Sequence, residues 1–201
     1  MDVFGDVVKA ANLKGNGWKQ RHDGLLVCLA QLFRWAGVPS DGPEAYGVFA
    51  GLLPQEAFVA EGGERGKQGL VPDFRLQRGA SGVSGCEALA EVKVLSCCPS
   101  HYSPTLSAKA VDVRARAVPG EYTRKARAAD QAYLGVAPGV VGPVEPKLGE
   151  FPLSVFVFGA FGEGSEEVHK LVSVLAVARV KRFGLGLGKG GRELKSDGAV
   201  A

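Results

Sequence analysis

ALAEVKVL, residues 88–95, is an apolar run broken by two charges, Glu91 and Lys93, and its reading decides the fold. Side chains alternate along a strand, so Glu91 and Lys93 share one face and Val92 and Val94 point to the other, with the charged pair's Cα atoms about 6.6 Å apart. Leu89 and Leu95 lie on the charged face too, and such a face is a costly place for charges without partners. A second run of the same kind, GLVPDFRL, residues 69–76, carries Asp73 directly after a proline. Between them QRGASGVSGCE, residues 77–87, has the glycines and serines of a long hairpin loop, so the two runs are expected to pair antiparallel.

Upstream, RHDGLLVCLAQLFRWAG (21–37) sets Leu25, Leu26, Leu29, Leu32, Phe33 and Ala36 at helical offsets, with Gly37 placed as a left-handed cap. The apolar run YGVFAGLL (46–53) reads as a short strand. Downstream, GEYTRKARAADQAYL (120–134) puts Tyr122, Ala126, Ala129 and Tyr133 on one stripe of a second helix with a basic surface. FPLSVFVFGAF (151–161) is apolar on both faces, as expected of the most buried strand of a sheet. Ser165 is placed to cap a last helix that has Glu166 and Glu167 in its first turn and an apolar face of Val168, Leu171, Val172 and Leu175, with Arg179, Lys181 and Arg182 at its far end.

The order is helix, strand, strand, strand, helix, strand, helix: an α/β mixed sheet flanked by helices, in a single domain over 1–182. A glycine-rich, mobile tail is expected over 183–201; its GLGLGK lacks the spacing and the Ser or Thr of a phosphate-binding loop.

The 201 residues, 46% of them hydrophobic, suffice for one substantial core. A net charge of +3 demands no polyanionic partner for the chain as a whole, so any basic surface is local. No apolar stretch reaches membrane-spanning length, and Asp2, Asp6 and Lys9 leave no signal-peptide core at the start. The expectation is a soluble, intracellular protein with reduced cysteines. CCPSH, with Cys97, Cys98 and His101, matches no usual zinc spacing.

If the hairpin sets Asp73 beside Glu91, two carboxylates converge, and like charges at that distance repel unless a cation lies between them. Hard oxygen donors suit Mg²⁺, or Mn²⁺ in its place, which takes the rest of its shell from water and substrate phosphate. A cation held there would polarise a phosphoryl oxygen and acidify a water for in-line attack. Lys93 would either steady the developing charge or act as a base.

Pro72 and Asp73 followed by Glu91, Val92 and Lys93 resemble the PD-(D/E)xK signature of the restriction-endonuclease-like nucleases, and the element order resembles their common core over roughly residues 21–180. The resemblance implies a Mg²⁺-dependent phosphodiesterase in which Asp73 and Glu91 bind metal and Lys93 stabilises charge. The layout also looks like the nuclease-type domains of some eukaryotic retroelement polyproteins, which implies a DNA-nicking domain and a nuclear location. Many members place a glutamate in the first helix; here His22 and Asp23 stand at its start as auxiliary candidates. The four-residue glutamine and tyrosine spacing of some members is absent, since Gln131 and Tyr133 are two apart.

Arg124, Lys125 and Arg127 offer either a phosphate-backbone contact or an ordinary solvated helix face. Arg114 and Arg116, alternating with apolar residues in AVDVRARAV, either extend that patch or protect an exposed sheet edge. The acidic and basic strand residues also admit a bland account, as solvated cross-strand pairs. Two further functions stand beside the nuclease: a catalytically degenerate module that binds nucleic acid or protein, and a junction-cleaving enzyme, which needs a two-fold homodimer. His22, His101 and His169 read as structural histidines.

Overall fold

The computed structural model describes residues 17–42, 45–58, 70–77, 87–95, 107–159 and 162–182. CCPSH, most of the hairpin loop and the tail expected over 183–201 lie outside them. The elements are α1 (Gly17–Ala36), β1 (Ser40–Asp41), β2 (Phe74–Leu76), β3 (Ala88–Val94), α2 (Ser107–Leu134), α3 (Val144–Gly149), β4 (Leu153–Phe158) and α4 (Glu166–Arg182).

The four strands form one mixed sheet in the order β1-β2-β3-β4. β1 pairs antiparallel with β2, and β2 antiparallel with β3. β3 and β4 pair parallel, with Glu91 beside Val155 and Lys93 beside Val157. α2 is thus the crossover that a parallel pair requires.

Alternation along the strands divides the core in two. Leu89, Val155 and Val157 face Val111, Val118, Tyr122, Ala126 and Ala129 of α2. Ala88, Ala90, Val92, Phe74, Leu76 and Phe156 face Leu26, Leu29 and Phe33 of α1 and Val168, Leu171 and Leu175 of α4. Gly37, at φ 72°, ends α1 as expected: its amide and that of Val38 close on the Arg34 and Phe33 carbonyls. Leu32, expected on the buried face, is exposed, as is Val172 of α4. Among the described residues no helix is long and apolar enough to cross a membrane.

Four expectations are corrected. Residues 46–53 are not a strand: Tyr46–Phe49 form a 3-10 turn, Gly51 reverses the chain at φ 79°, and Val48, Phe49 and Leu53 enter the α2-side core from this compact loop. Ser40–Asp41 is the first strand instead. The crossover helix begins at Ser107 rather than Gly120, because it runs through Pro119. That proline lacks one intrahelical amide donor, yet Val111, Ala115, Val118, Tyr122, Ala126 and Ala129 keep a three-or-four spacing across it, so burial of the stripe outweighs the break. Arg114 and Arg116 therefore lie on a helix, not on an edge strand.

The run at 151–161 is not the most buried strand; β3 is, and β4 is the outer strand among the described residues. β4 is apolar on both faces because helices cover both. Its open edge is occupied by Ser165, which does not cap α4 with its hydroxyl. The hydroxyl accepts from the Val157 amide at 3.2 Å and donates to the Val155 carbonyl at 3.3 Å.

Candidate active site

Pro72 organises the site. In the β2–β3 register Phe74 stands opposite Ala90, which places Pro72 opposite Val92. An ordinary residue at 72 would continue the ladder with Val92, but proline has no amide hydrogen, and its carbonyl is taken by the Ala45 amide at 2.9 Å. Both backbone groups of Val92 therefore find side chains. The Asp73 carboxylate accepts from the Val92 amide at 2.7 Å, and His22 Nε2 lies 3.2 Å from the Val92 carbonyl. The same His22 nitrogen is 3.5 Å from Asp73 Oδ2. Asp73 follows a proline because the broken ladder needs an acceptor at that point.

Beyond the break the two strands present their charges to the α2 side. Asp73 is fully buried and Glu91 nearly so. One Glu91 oxygen is paired with Lys93 Nζ, whose side chain keeps a quarter of its surface. The other accepts from the Tyr122 hydroxyl at 2.5 Å. Glu121 forms a two-bond pair with Arg114, and its carboxyl is held below the ordinary range first by that guanidinium and further by the charges of Lys125 and Lys93. Lys125 lies 5.2 Å from the Tyr122 ring centroid.

The electrostatics of the two carboxylates diverge. Burial, then the negative charge of Asp73, pushes the Glu91 carboxyl above its ordinary value, and Lys93 and Tyr122 offset this only in part. Burial pushes Asp73 up as well, but the His22 contact, the Val92 amide and the charges of His22 and Lys93 outweigh it and leave it low. His22 is raised, first by its contact with Asp73, against burial and the charge of Lys93. Its other nitrogen faces Asp23 Oδ1 at 3.3 Å. With oxygen acceptors at both nitrogens, the imidazolium is the form that satisfies every contact.

The structure thus brings Asp73, Glu91, Lys93 and His22 together and adds Tyr122. Asp23 is exposed and touches the group only through His22. The five basic candidates on α2 do not act as one patch. Arg114 and Lys125 flank the site, whereas Arg127 is held by Glu145 through two bonds of 2.6 and 2.8 Å. Arg124 is exposed, and Arg116 lines a cavity of about 470 Å³ between α2, β4 and the start of α4. Tyr122 was legible only as a core residue, because a hydroxyl's partner does not show in helical spacing.

Asp73 and Glu91 are the residues that would hold a hard divalent cation, since both offer carboxylate oxygens. Both carboxylates are buried, and Glu91 is raised first by that burial and then by the charge of Asp73, a cost that a bound cation would lower. Among the described residues no group of three or more His, Cys, Asp or Glu side chains is arranged to hold a metal ion. No protein-family model, curated protein or solved structure matches this chain.

Proposed function

We propose that the chain is a Mg²⁺- or Mn²⁺-dependent endonuclease that hydrolyses DNA phosphodiester bonds on a restriction-endonuclease-like core, as a nicking domain of the retroelement type. The observation that carries this reading is the joint burial of Asp73 and Glu91 beside Lys93 at the point where Pro72 interrupts the β2–β3 ladder. Two buried acids are expensive in a fold, and a cation-dependent reaction gives them a use. A divalent ion at this site supplies Lewis acidity toward a phosphoryl oxygen and a more acidic water.

The protein's own groups do the rest. Asp73 is fixed as an anion by the Val92 amide and His22, which suits a permanent ligand. Glu91 is the ligand whose charge state a cation changes. Lys93, part-exposed and flexible, can leave Glu91 to reach a phosphate oxygen or the attacking water. Arg114, which is paired with Glu121, and Lys125, over the Tyr122 ring, are the cations near the site that would meet a phosphate backbone.

Supercoiled plasmid incubated with protein and Mg²⁺ or Mn²⁺ tests the reading. Nicking that EDTA and Glu91→Gln both abolish is expected, and equal nicking by that variant overturns it. A second reading, a non-cleaving module that binds nucleic acid, draws on the occupation of both Glu91 oxygens by Lys93 and Tyr122. Metal-independent DNA retention in a gel shift, with no cleavage products, is its signature.

A further inference from the structure

We infer that Tyr122 is a positioning residue for Glu91, clamping one carboxylate oxygen so that the other is presented to the cation. This rests on the nuclease reading of the site. Glu91 has two partners of opposite character. Lys93 is a four-carbon chain with a quarter of its side-chain surface in solvent, so its contact with Oε1 is exchangeable. Tyr122 is 1% exposed, belongs to the α2-side core, and reaches Oε2 at 2.5 Å.

A phenylalanine would fill the same volume. The hydroxyl is what needs a reason, since a buried phenol must find a partner and this one finds the only acid on the central strand β3. An aromatic ring with two torsions, wedged between helix and sheet, is a rigid donor. Oε1, paired with the part-exposed Lys93, is then the atom a cation would take in exchange for the ammonium. Partners of this kind, which orient a metal-binding side chain without touching the metal, typically change metal affinity by about 10–100-fold when removed.

The experiment is calorimetric titration of Mn²⁺ into EDTA-stripped full-length protein, comparing wild type, Tyr122→Phe and Glu91→Gln. Tyr122→Phe is expected to weaken Mn²⁺ binding about 10–100-fold, and its plasmid nicking should recover when Mn²⁺ is raised by the same factor. Wild-type affinity in Tyr122→Phe, alongside lost binding in Glu91→Gln, overturns the clamp and leaves the nuclease reading standing. Failure of the wild type itself to bind Mn²⁺ removes the metal site and the clamp together. A measurement without substitution covers a variant that does not fold: Mg²⁺ titrated into the wild type should shift the tyrosine near-ultraviolet absorbance as the site fills, and a flat trace overturns the clamp.

Discussion

His22 Nε2 lies 3.5 Å from Asp73 Oδ2 and 3.2 Å from the Val92 carbonyl, so one imidazole from α1 closes the gap that a proline opens between β2 and β3. His22 has its pKa raised in the folded chain. Its contribution to stability is full below the unfolded value near 6.5 and disappears as pH rises through the higher folded value. His22→Gln keeps an amide donor for Val92 but loses the charge. In EDTA it should destabilise the protein more at pH 6 than at pH 9, by urea melts at the two pH values. Equal losses would show that the imidazole acts by shape alone.

Asp73 joins a backbone amide to a charge, and two substitutions separate these roles. Asp73→Asn retains an acceptor for the Val92 amide, whereas Asp73→Ala leaves a buried donor unmet, at about 1–3 kcal/mol. Chemical denaturation should rank alanine well below asparagine. Both should abolish nicking, because neither supplies the anion.

Glu91 is raised by burial and by Asp73, the opposite sense from Asp73. A carboxyl raised on folding favours the folded state fully below its unfolded value, and this advantage is lost as pH rises through the folded value. Glu91→Gln should therefore match or exceed the wild type in melting temperature at pH 8 without metal, because relief of the buried charge offsets the lost Lys93 pair. An inactive variant that is clearly less stable at pH 8 would contradict this. Added Mg²⁺ should raise the wild-type melting temperature and leave the variant unchanged.

Gly42 lies beside the site at φ 147°, and a Cβ there would meet the Phe74 ring at 2.5 Å and the Asp73 carbonyl at 2.7 Å. Gly51, at φ 79°, faces open space. Gly51→Ala should cost about 1–2 kcal/mol for backbone strain alone, and Gly42→Ala about 1–3 kcal/mol more for the clash. Thermal melts of the two variants compare them directly; equal losses would mean that β1 yields without resistance.

The mixed sheet was legible because ALAEVKVL and GLVPDFRL alternate cleanly and the chain between them is rich in turn residues. It was less legible wherever tertiary packing overrode local signals. Pro119–Gly120 reads as a helix boundary, yet α2 continues through it because one apolar stripe spans the break. YGVFAGLL has strand composition, but its apolar side chains enter the core from a 3-10 turn. Two-sided apolarity marks a strand covered on both faces and says nothing of its place in the sheet, so β4 reads as central while lying at the edge among the described residues. The distant partners of His22, Asp73 and the Val92 carbonyl, come from a register visible only once β2 and β3 are paired. The shared face of Glu91 and Lys93 followed from strand alternation; the phenol on Glu91 could not.

The crossover through α2 bears on how the molecule assembles. β2 and β3 are near neighbours in sequence, whereas Leu89 meets Leu153 only after about sixty residues have been brought back. Closing so long a loop is entropically slow compared with forming a hairpin. In refolding, Asp73 and Glu91 should come together on the hairpin while still wet and well screened, and the phenol that covers Glu91 should arrive later, with the crossover helix.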